Sequence, residues 1–359
     1  MFKFGLYLTK TFLLTWLTTV FGFLVLIGLL DSLANGGDIV ASGQGFHGTF
    51  KYMLLRAPVI FDRIFMFTLV VAILLVFVKL IRQHELVALL GFGISAPKQI
   101  LLLSPIVLAA SVTSIGFIDF AMPPAVRSLQ AWGIGEYKVK NITSENPLWL
   151  EDGQDIIRAT QRVSFETLGD IQIFERDETG AVNSVIWAET ATFKASNWAL
   201  NGVKILTLKG SDGEKRSALR DTTPRAWETN QTPRSIARLA AEPRDLSLGE
   251  MKTFSVRGNS GSKPRFAYSF WHAHRLSRPL AALILLVCCV PLMQRTGRED
   301  TGDKALILGI TMGFIFLIID GAMATFATSG GIEVMTAIAF PLAIFGLFGA
   351  FLLVRTESL

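Results

Sequence analysis

The feature that most restricts the fold of this chain is a set of long apolar runs near its two ends. An α-helix rises about 1.5 Å per residue, so about 20 apolar residues cross the ~30 Å hydrocarbon core of a bilayer. Six runs are of about this length: residues 12–33, 59–80, 100–122, 276–293, 305–328 and 334–354. The sequence therefore predicts six membrane-spanning helices in two groups of three, with Pro279 and Pro291 interrupting the fourth.

The composition also indicates a membrane protein. Charged residues make up only 18% of the 359 residues, whereas about 25% is usual in soluble domains. The net charge of +5 does not indicate nucleic-acid binding, because the basic residues are scattered and form no stripe with aromatic residues. The cysteines, Cys288 and Cys289, both lie inside the fourth run, so a water-exposed domain would contain no disulfide.

Basic residues gather at the helix ends that six crossings would place on one side: Lys3, Lys10, Lys79, Arg82, Lys98, Arg295, Arg298, Lys304 and Arg355. By the positive-inside rule this side is cytoplasmic, so we expect both termini inside and residues 123–268 outside. A signal peptide is an alternative for the first run. That run exceeds the apolar region of about 7–15 residues found in signal peptides, which favours an uncleaved helix.

The segment between the third and fourth runs has the pattern of an antiparallel β domain. From Pro147 onward, stretches such as 170–174 and 203–208 are separated by turn signals at Asp152-Gly153, Thr179-Gly180, Asn201-Gly202 and Asp212-Gly213. A sandwich or jelly roll is the expected class. After it, Ser247 and Glu250 have capping-box spacing, which predicts a short helix through Phe254 and then a polar link at 257–262.

Residues 265–278 mix aromatic with basic side chains, among them Phe270, Trp271, His272, His274 and Arg275. This pattern favours an interfacial belt that leads into the fourth span. A metal site built on the histidines is the alternative, but it lacks a third ligand.

Four aspartates lie in or near the outer ends of the predicted helices: Asp31, Asp62, Asp119 and Asp320. Charged groups in a bilayer are costly and often functional. Solvation at helix ends, or ion pairing with Arg63 or Arg127, would explain the first three without a function. Asp320 lies deeper, beside Gly321, which favours a side chain directed at protein or a cavity.

Four cations are expected close to headgroup level on the same side: Lys51, Arg56, Arg63 and Arg127. Such cations can bind phosphate through charge-assisted hydrogen bonds. Ordinary anchoring at the membrane surface explains them equally well.

The chain has no G-x-x-x-x-G-K-[ST] loop for nucleotide, no G-x-S-x-G, no HExxH and no CxxC. We therefore expect neither intrinsic enzymatic activity nor a cofactor in this chain.

The loop between the second and third runs, Arg82 to Gly93, predicts a short amphipathic helix. Glu85, Leu86, Leu89 and Leu90 can share one helical face, with Gly91 or Gly93 ending the helix. Such a helix at the cytoplasmic surface could bind a soluble partner. Packing on lipid headgroups alone is the other interpretation.

The chain resembles the lipopolysaccharide export permeases, the YjgP/YjgQ family, whose members pair as F-type and G-type subunits. The resemblance is carried by Tyr7-Leu8-Thr9-Lys10-Thr11-Phe12, the loop with Glu85-Leu86-Val87, Ala191-Thr192-Phe193, Asn197-Trp198, Trp227-Glu228-Thr229-Asn230, Thr232-Pro233, Asp245-Leu246-Ser247 and Ile319-Asp320. The order of three spans, β domain and three spans is also typical of the family. The stretches around Trp198 and Thr229-Asn230 are more similar to the G type.

This resemblance implies an α+β membrane protein with an inserted periplasmic antiparallel jelly roll in the inner membrane of a Gram-negative bacterium. It implies three regions: residues 1–122 with a coupling helix at about 82–92, residues 123–268 with the jelly roll and linker helices, and residues 269–359. The implied partners are an F-type permease, two copies of an ABC ATPase that hydrolyses ATP with Mg, a single-span periplasmic bridge protein, lipopolysaccharide and membrane lipids.

The resemblance also implies roles for particular residues. The coupling residues would be Glu85, Arg82, His84, Leu86 and Leu89, with Glu85 facing a basic residue of the ATPase. The first and fifth helices would form lateral gates, which places Asp31 and Asp320 near substrate entry.

One departure from the family concerns substrate binding. G-type members can carry lysines in and just after the outer half of the first helix, where this chain has Gly28 and Ala34-Asn35-Gly36-Gly37. Any phosphate binding by those lysines would pass to the four cations named above.

Two other functions remain open at the level of sequence. One is an ion-coupled lipid carrier that uses Asp31, Asp119 and Asp320 as a relay. The other is a membrane scaffold for a periplasmic β domain, for which six spans with buried acids are excessive.

Overall fold

The protein is described by a computed structural model, in which the described residues are 2–137, 144, 147–152, 154–164, 166–177, 179–194, 197–208, 218–222, 225–227, 229, 231–233, 236, 241–257, 263–296 and 303–357. The turns expected at Gly153 and Asp212-Gly213, and residues 258–262 of the expected polar link, lie outside these ranges. The chain divides into two compact units. One comprises Met1–Gly36, Thr49–Met122 and Phe266–Leu359, and the other Gly37–Gly48 and Pro123–Arg265.

The helices of the described chain are, in order, α1 (Phe2–Ala34), α2 (Gly36–Ala41), α3 (Gly45–Arg82), α4 (Glu85–Gly91), α5 (Ala96–Trp132), α6 (Leu248–Arg257), α7 (Arg265–Thr296), α8 (Asp303–Thr328) and α9 (Val334–Glu357). Within the described residues, α1, α3, α5, α7, α8 and α9 are long and apolar enough to cross a membrane. The prediction of six spans in two groups of three is confirmed.

The fourth span is one continuous helix although it contains two prolines. Pro279 and Pro291 both lie inside α7. A proline removes one backbone donor and weakens a helix locally. In hydrocarbon, however, the remaining backbone groups have no water to bind, so continuing the helix is the favourable solution.

In the membrane-spanning unit, α3 and α7 are the most buried of the six long helices, and α1 and α8 are the least buried. Two glycines let α8 approach α3 closely. A Cβ added at Gly313 would lie 3.1 Å from Val70 Cγ1, and one added at Gly309 would overlap the side chain of Leu74. This spacing of small residues is a common means of close helix packing in membranes.

The second unit contains an antiparallel sheet, as the sequence predicts. Its described strands are β1 (Leu148–Asp152), β2 (Asp155–Ser164), β3 (Thr167–Arg176), β4 (Val182–Lys194), β5 (Asn197–Thr207), β6 (Ala218–Thr222) and β7 (Arg225–Trp227). The strands β1 to β6 pair in chain order, and β7 pairs with β5 beside the start of that strand. Within the predicted antiparallel class, the described strands therefore have the connectivity of a meander.

One face of the sheet carries the apolar core of this unit. Ile157, Ile173 and Ile186 lie in one row across β2, β3 and β4 and belong to one buried cluster with Trp198. The indole Nε1 of Trp198 donates to Gln231 O at 2.8 Å, so its polar atom is satisfied within the core. The same cluster is covered by Phe254 of α6.

Of two predicted turns that the structure describes, one is present and the other is not. Thr179-Gly180 forms the turn between β3 and β4, with Gly180 N donating to Asp177 O at 2.9 Å and a φ of 83° at Gly180. The turn predicted at Asn201-Gly202 is wrong, because both residues lie inside β5 and Asn201 pairs with Thr190. Gly202 adopts a φ of 65° there, and an added Cβ would lie 2.7 Å from the Glu189 side chain, so glycine serves close packing instead.

The predicted capping box is confirmed at the start of α6. Ser247 N donates to Glu250 Oε2 at 3.0 Å, and Glu250 N donates to Ser247 Oγ at 3.3 Å. The reciprocal bonds satisfy two donors that a helix start leaves without partners.

Candidate functional site

We call the end of the membrane-spanning unit at which α1 ends and α7 begins the distal end. The opposite end, which carries α4, is the proximal end. The candidate site has one part at each: paired charges in the distal half and a surface helix with a cleft at the proximal end.

Helix α7 supplies basic side chains to acids on three neighbouring helices in the distal half. His274 Nε2 lies 3.1 and 3.0 Å from the two carboxylate oxygens of Asp320 in α8. Arg275 Nη1 lies 3.8 Å from Asp119 Oδ1 in α5. Arg278 pairs with Asp62 of α3, and both side chains are almost completely buried. Helix α7 is therefore joined to α3, α5 and α8 by pairs of basic and acidic side chains.

The fourth aspartate lies in a hydrogen-bonded cluster between α1 and α3. Arg56 Nε donates to Asp31 Oδ2 at 2.7 Å, and Tyr52 OH donates to the same oxygen at 3.2 Å. Asn35 Nδ2 contacts Asp31 Oδ1 at 3.2 Å. Arg56 is buried, and the Asp31 carboxylate compensates its charge there.

Sequence reasoning identified the aspartates but missed most of their partners. It named Arg63 and Arg127 as candidate partners and did not name in that role Arg56, His274, Arg275 and Arg278, which contact the four aspartates in the described pairs. Residues 265–278, interpreted as an interfacial belt, also supply three basic side chains that contact acids of other helices. The sequence signal that could have identified these partners was a set of basic residues near the start of α7, an otherwise apolar helix, at the level of the aspartates.

The four expected rim cations occupy different environments. Lys51 and Arg63 are exposed in the membrane-spanning unit, and Arg56 is buried against Asp31. Arg127 is exposed in the other unit, where its Nε donates to Pro123 O at 3.1 Å. Lys51 and Arg63 thus lie at the surface, whereas Arg56 is held inside by the carboxylate of Asp31.

At the proximal end, the loop after α3 forms the short helix α4, as the sequence predicts. His84 precedes it with a left-handed backbone (φ 59°). Leu86 and Leu89 are buried, while Val87 is 68% exposed. The two leucines therefore hold α4 on its own subunit, and the surface left for a partner is the face with Val87.

Glu85 is half-buried at the start of α4, where Tyr7 OH donates to its Oε1 at 3.3 Å. Next to this bond is an open cleft of ≈ 610 Å³, lined by Phe4, Tyr7, Glu85, Ala88, Leu89, Phe92 and Ile94. Arg82 bonds Asp303 at 2.8 Å, with both side chains exposed. The expected coupling residues Glu85, Arg82 and His84 thus lie at the surface or its edge.

Among the described residues, no group of three His, Cys, Asp or Glu side chains could hold a metal ion.

Comparison with known proteins identifies a family with which this chain can be aligned. The family model of the lipopolysaccharide export system permease LptF/LptG matches residues 6–355. The lipopolysaccharide export system permease protein LptG of Escherichia coli (strain K12) is 22% identical over 359 residues, which cover 97% of each chain. The protein of the same name from Haemophilus influenzae is 22% identical over 209 residues, 57% of this chain and 56% of that one. Since the family model covers both groups of spans and the β insertion between them, the chain belongs to the LptF/LptG family of lipopolysaccharide export system permeases.

Proposed function

We propose that this chain is the G-type permease subunit of an ABC-type exporter that extracts lipopolysaccharide from the outer leaflet of the inner membrane. The G type is supported by the relatives named LptG. In this proposal an F-type subunit completes the cavity, and a single-span bridge protein receives the lipid. The termini and α4 are cytoplasmic and the β domain is periplasmic, in line with the distribution of basic residues.

Lipid extraction requires an external source of energy. Each CH₂ group that leaves an apolar environment costs about 0.8 kcal/mol, and the several acyl chains of one lipid leave together. This chain has no nucleotide-binding loop. The energy therefore comes from two copies of a separate ATPase that hydrolyses ATP with Mg²⁺.

The observation that carries the proposal is the construction of α4. It is a seven-residue helix anchored by Leu86 and Leu89, with Val87 exposed and Glu85 at its start. A helix that packs on the membrane helices with one face and exposes the other can transmit a displacement of a bound partner to the membrane helices. Glu85 would supply the charge that a basic residue of the ATPase recognises.

For substrate, the proposal assigns acyl chains to apolar surfaces of α1 and α8 and phosphates to cations at the distal end. Lys51 and Arg63 are exposed there, and Arg127 is exposed in the second unit. Asp31 and Asp320, on α1 and α8, would lie close to the path of entry.

An ion-coupled carrier is less well supported by the paired charges. Asp31 and Asp119 face Arg56 and Arg275, which do not release a proton at any physiological pH. Among the described pairs with these aspartates, only that of Asp320 has a histidine in place of an arginine, namely His274. A proton relay would need more than this pair.

The test is reversal of the charge at α4. We expect an ATPase to copurify with the wild-type chain and its sister permease, and Glu85→Arg to remove it, because like charges would meet at the contact. Glu333→Arg, the same change at an exposed distal position, is the matched control and should retain the ATPase. Retention of both the complex and lipid-stimulated ATP hydrolysis by Glu85→Arg would show that α4 does not couple the two proteins.

A further inference from the structure

A chain of hydrogen bonds runs from α4 into α7 inside the membrane-spanning unit. Ile94 N donates to Leu89 O of α4 at 3.0 Å. Gln99 Nε2, in the first turn of α5, donates to Ile94 O at 2.9 Å. Gln294 Nε2, near the end of α7, donates to Gln99 Oε1 at 2.8 Å. Leu89, Ile94, Gln99 and Gln294 are all buried, so these bonds are shielded from water.

The amide pair of Gln99 and Gln294 is unusual in its burial. Each residue is only 1% exposed. A buried amide that loses its partner pays the full cost of its desolvation, because no water replaces the bond. The two helices are therefore expected to move together at this point rather than to separate.

The other end of α7 carries the distal charges. His274, Arg275 and Arg278 reach Asp320, Asp119 and Asp62 on three different helices. Both prolines of α7 lie between Arg278 and Gln294. Prolines are the usual points at which a helix changes its bend. A displacement at Gln294 can therefore change the orientation of the half of α7 that carries the three basic side chains.

We propose that Gln99 and Gln294 are positioning residues that pass the movement of α4 to α7 and, through α7, to the distal ion pairs. This inference rests on the proposed function, in which an ATPase moves α4. When α4 moves, the loop that contains Ile94 moves with it. Gln99 then moves with the loop, and Gln294 moves with Gln99. The distal basic side chains of α7 then shift relative to the acids of α3, α5 and α8, next to the surfaces assigned to the lipid.

The experiment measures coupling rather than stability alone. The chain, its sister permease and the ATPase are reconstituted in vesicles that contain lipopolysaccharide, with the bridge protein as acceptor. ATP hydrolysis and lipopolysaccharide delivered to the acceptor are followed together. Gln294→Met keeps the length of the side chain but removes its amide. We expect an intact complex with unchanged basal ATP hydrolysis, and delivery per ATP reduced about tenfold, within the range of coupling losses measured for residues between two sites.

Two further variants separate the link from ordinary packing. Gln99→Met breaks the same link from the other side, so the test does not depend on the folding of one variant. The double variant should deliver no less than Gln99→Met alone, because the bond is already lost. Ser111→Ala is the matched control: it removes a buried hydroxyl of α5 that bonds Val107 O of its own helix at 2.7 Å, and it should leave delivery unchanged.

The outcomes distinguish the two proposals. A wild-type chain that neither retains an ATPase nor delivers lipid would overturn the proposed function itself. Wild-type coupling together with normal delivery per ATP in folded Gln294→Met or Gln99→Met would overturn the role of the amide link. Losses that multiply in the double variant would assign both residues to independent packing and overturn it as well.

Discussion

At the scale of single residues, the membrane-spanning unit is organised by charges that pair between helices. Arg278 and Asp62 are almost completely buried, and Arg278 Nη1 makes no further hydrogen bond in the described structure. A pair of this kind contributes little net stability compared with apolar residues of the same size, but removal of one partner leaves a buried charge without compensation. Its value lies in defining which faces of α3 and α7 meet.

We predict that Asp62→Leu destabilises the protein by about 3–5 kcal/mol because it leaves the Arg278 guanidinium buried and unpaired. Adding Arg278→Met should recover most of this loss, since both charges are then absent. Thermal unfolding of the purified wild type, single variant and double variant in one detergent checks this order of stabilities.

The control is the exposed pair of Arg82 and Asp303, whose side chains are 60% and 57% exposed. Asp303→Leu should cost less than about 1 kcal/mol, because water and salt screen an exposed pair. Equal losses for Asp62→Leu and Asp303→Leu would contradict the importance assigned to burial.

At the scale of elements, α8 depends on close approach to α3 more than on polar contacts at its proximal half. Gly309 and Gly313 are both buried and face Leu74 and Val70. With no hydrophobic driving force between helices in lipid, such packing supplies much of the association energy. A larger side chain at Gly309 therefore pushes the two helices apart.

We expect Gly309→Leu to lower the thermal unfolding midpoint, and Leu74→Ala to restore part of it when combined with that change. The control is Gly321→Ala in the same helix, where an added Cβ meets no atom within 4 Å, and the midpoint should stay near that of the wild type. If the Gly309→Leu protein unfolded at the wild-type temperature, α8 would not require this contact.

At the scale of the whole molecule, the arrangement of spans makes a prediction about sidedness. The described helices cross the membrane three times before the β domain and three times after it, if each candidate span crosses. From the distribution of basic residues, we expect α4 in the cytoplasm and the β domain in the periplasm. The two cysteines of the chain are buried, so introduced cysteines can report exposure with little background.

For this test, Val87→Cys in α4 and Val163→Cys in the β domain are suitable, because these residues are 68% and 65% exposed. A membrane-impermeant maleimide should label Val163→Cys in intact spheroplasts but label Val87→Cys only after lysis. The reverse pattern would invert the orientation and remove the basis for an ATPase contact at α4.

Much of the architecture could be predicted because it depends on local properties. The six spans follow from the length of each apolar run, and the start of α6 follows from Ser247 and Glu250 alone. The Asn201-Gly202 signal failed because glycine suits both a turn and a crowded strand position. What decided between them was Glu189 on the neighbouring strand.

For the candidate site, the sequence located the aspartates and the short helix but not their contacts. Leu86 and Leu89, which were named as coupling residues, are buried, whereas Val87 between them is exposed. A helical pattern shows which residues share a face, but it does not show whether that face meets a partner or the body of the same subunit.

The sequence by itself determined that the chain enters the membrane, how often, and where a β domain interrupts the spans. These properties follow because backbone groups in hydrocarbon must be satisfied within each helix, run by run. Only the tertiary structure decided that Asp62 meets Arg278 and that Gln99 meets Gln294, across separations of 216 and 195 residues. Such contacts depend on how helices rotate and pack against one another, which no single stretch of sequence specifies.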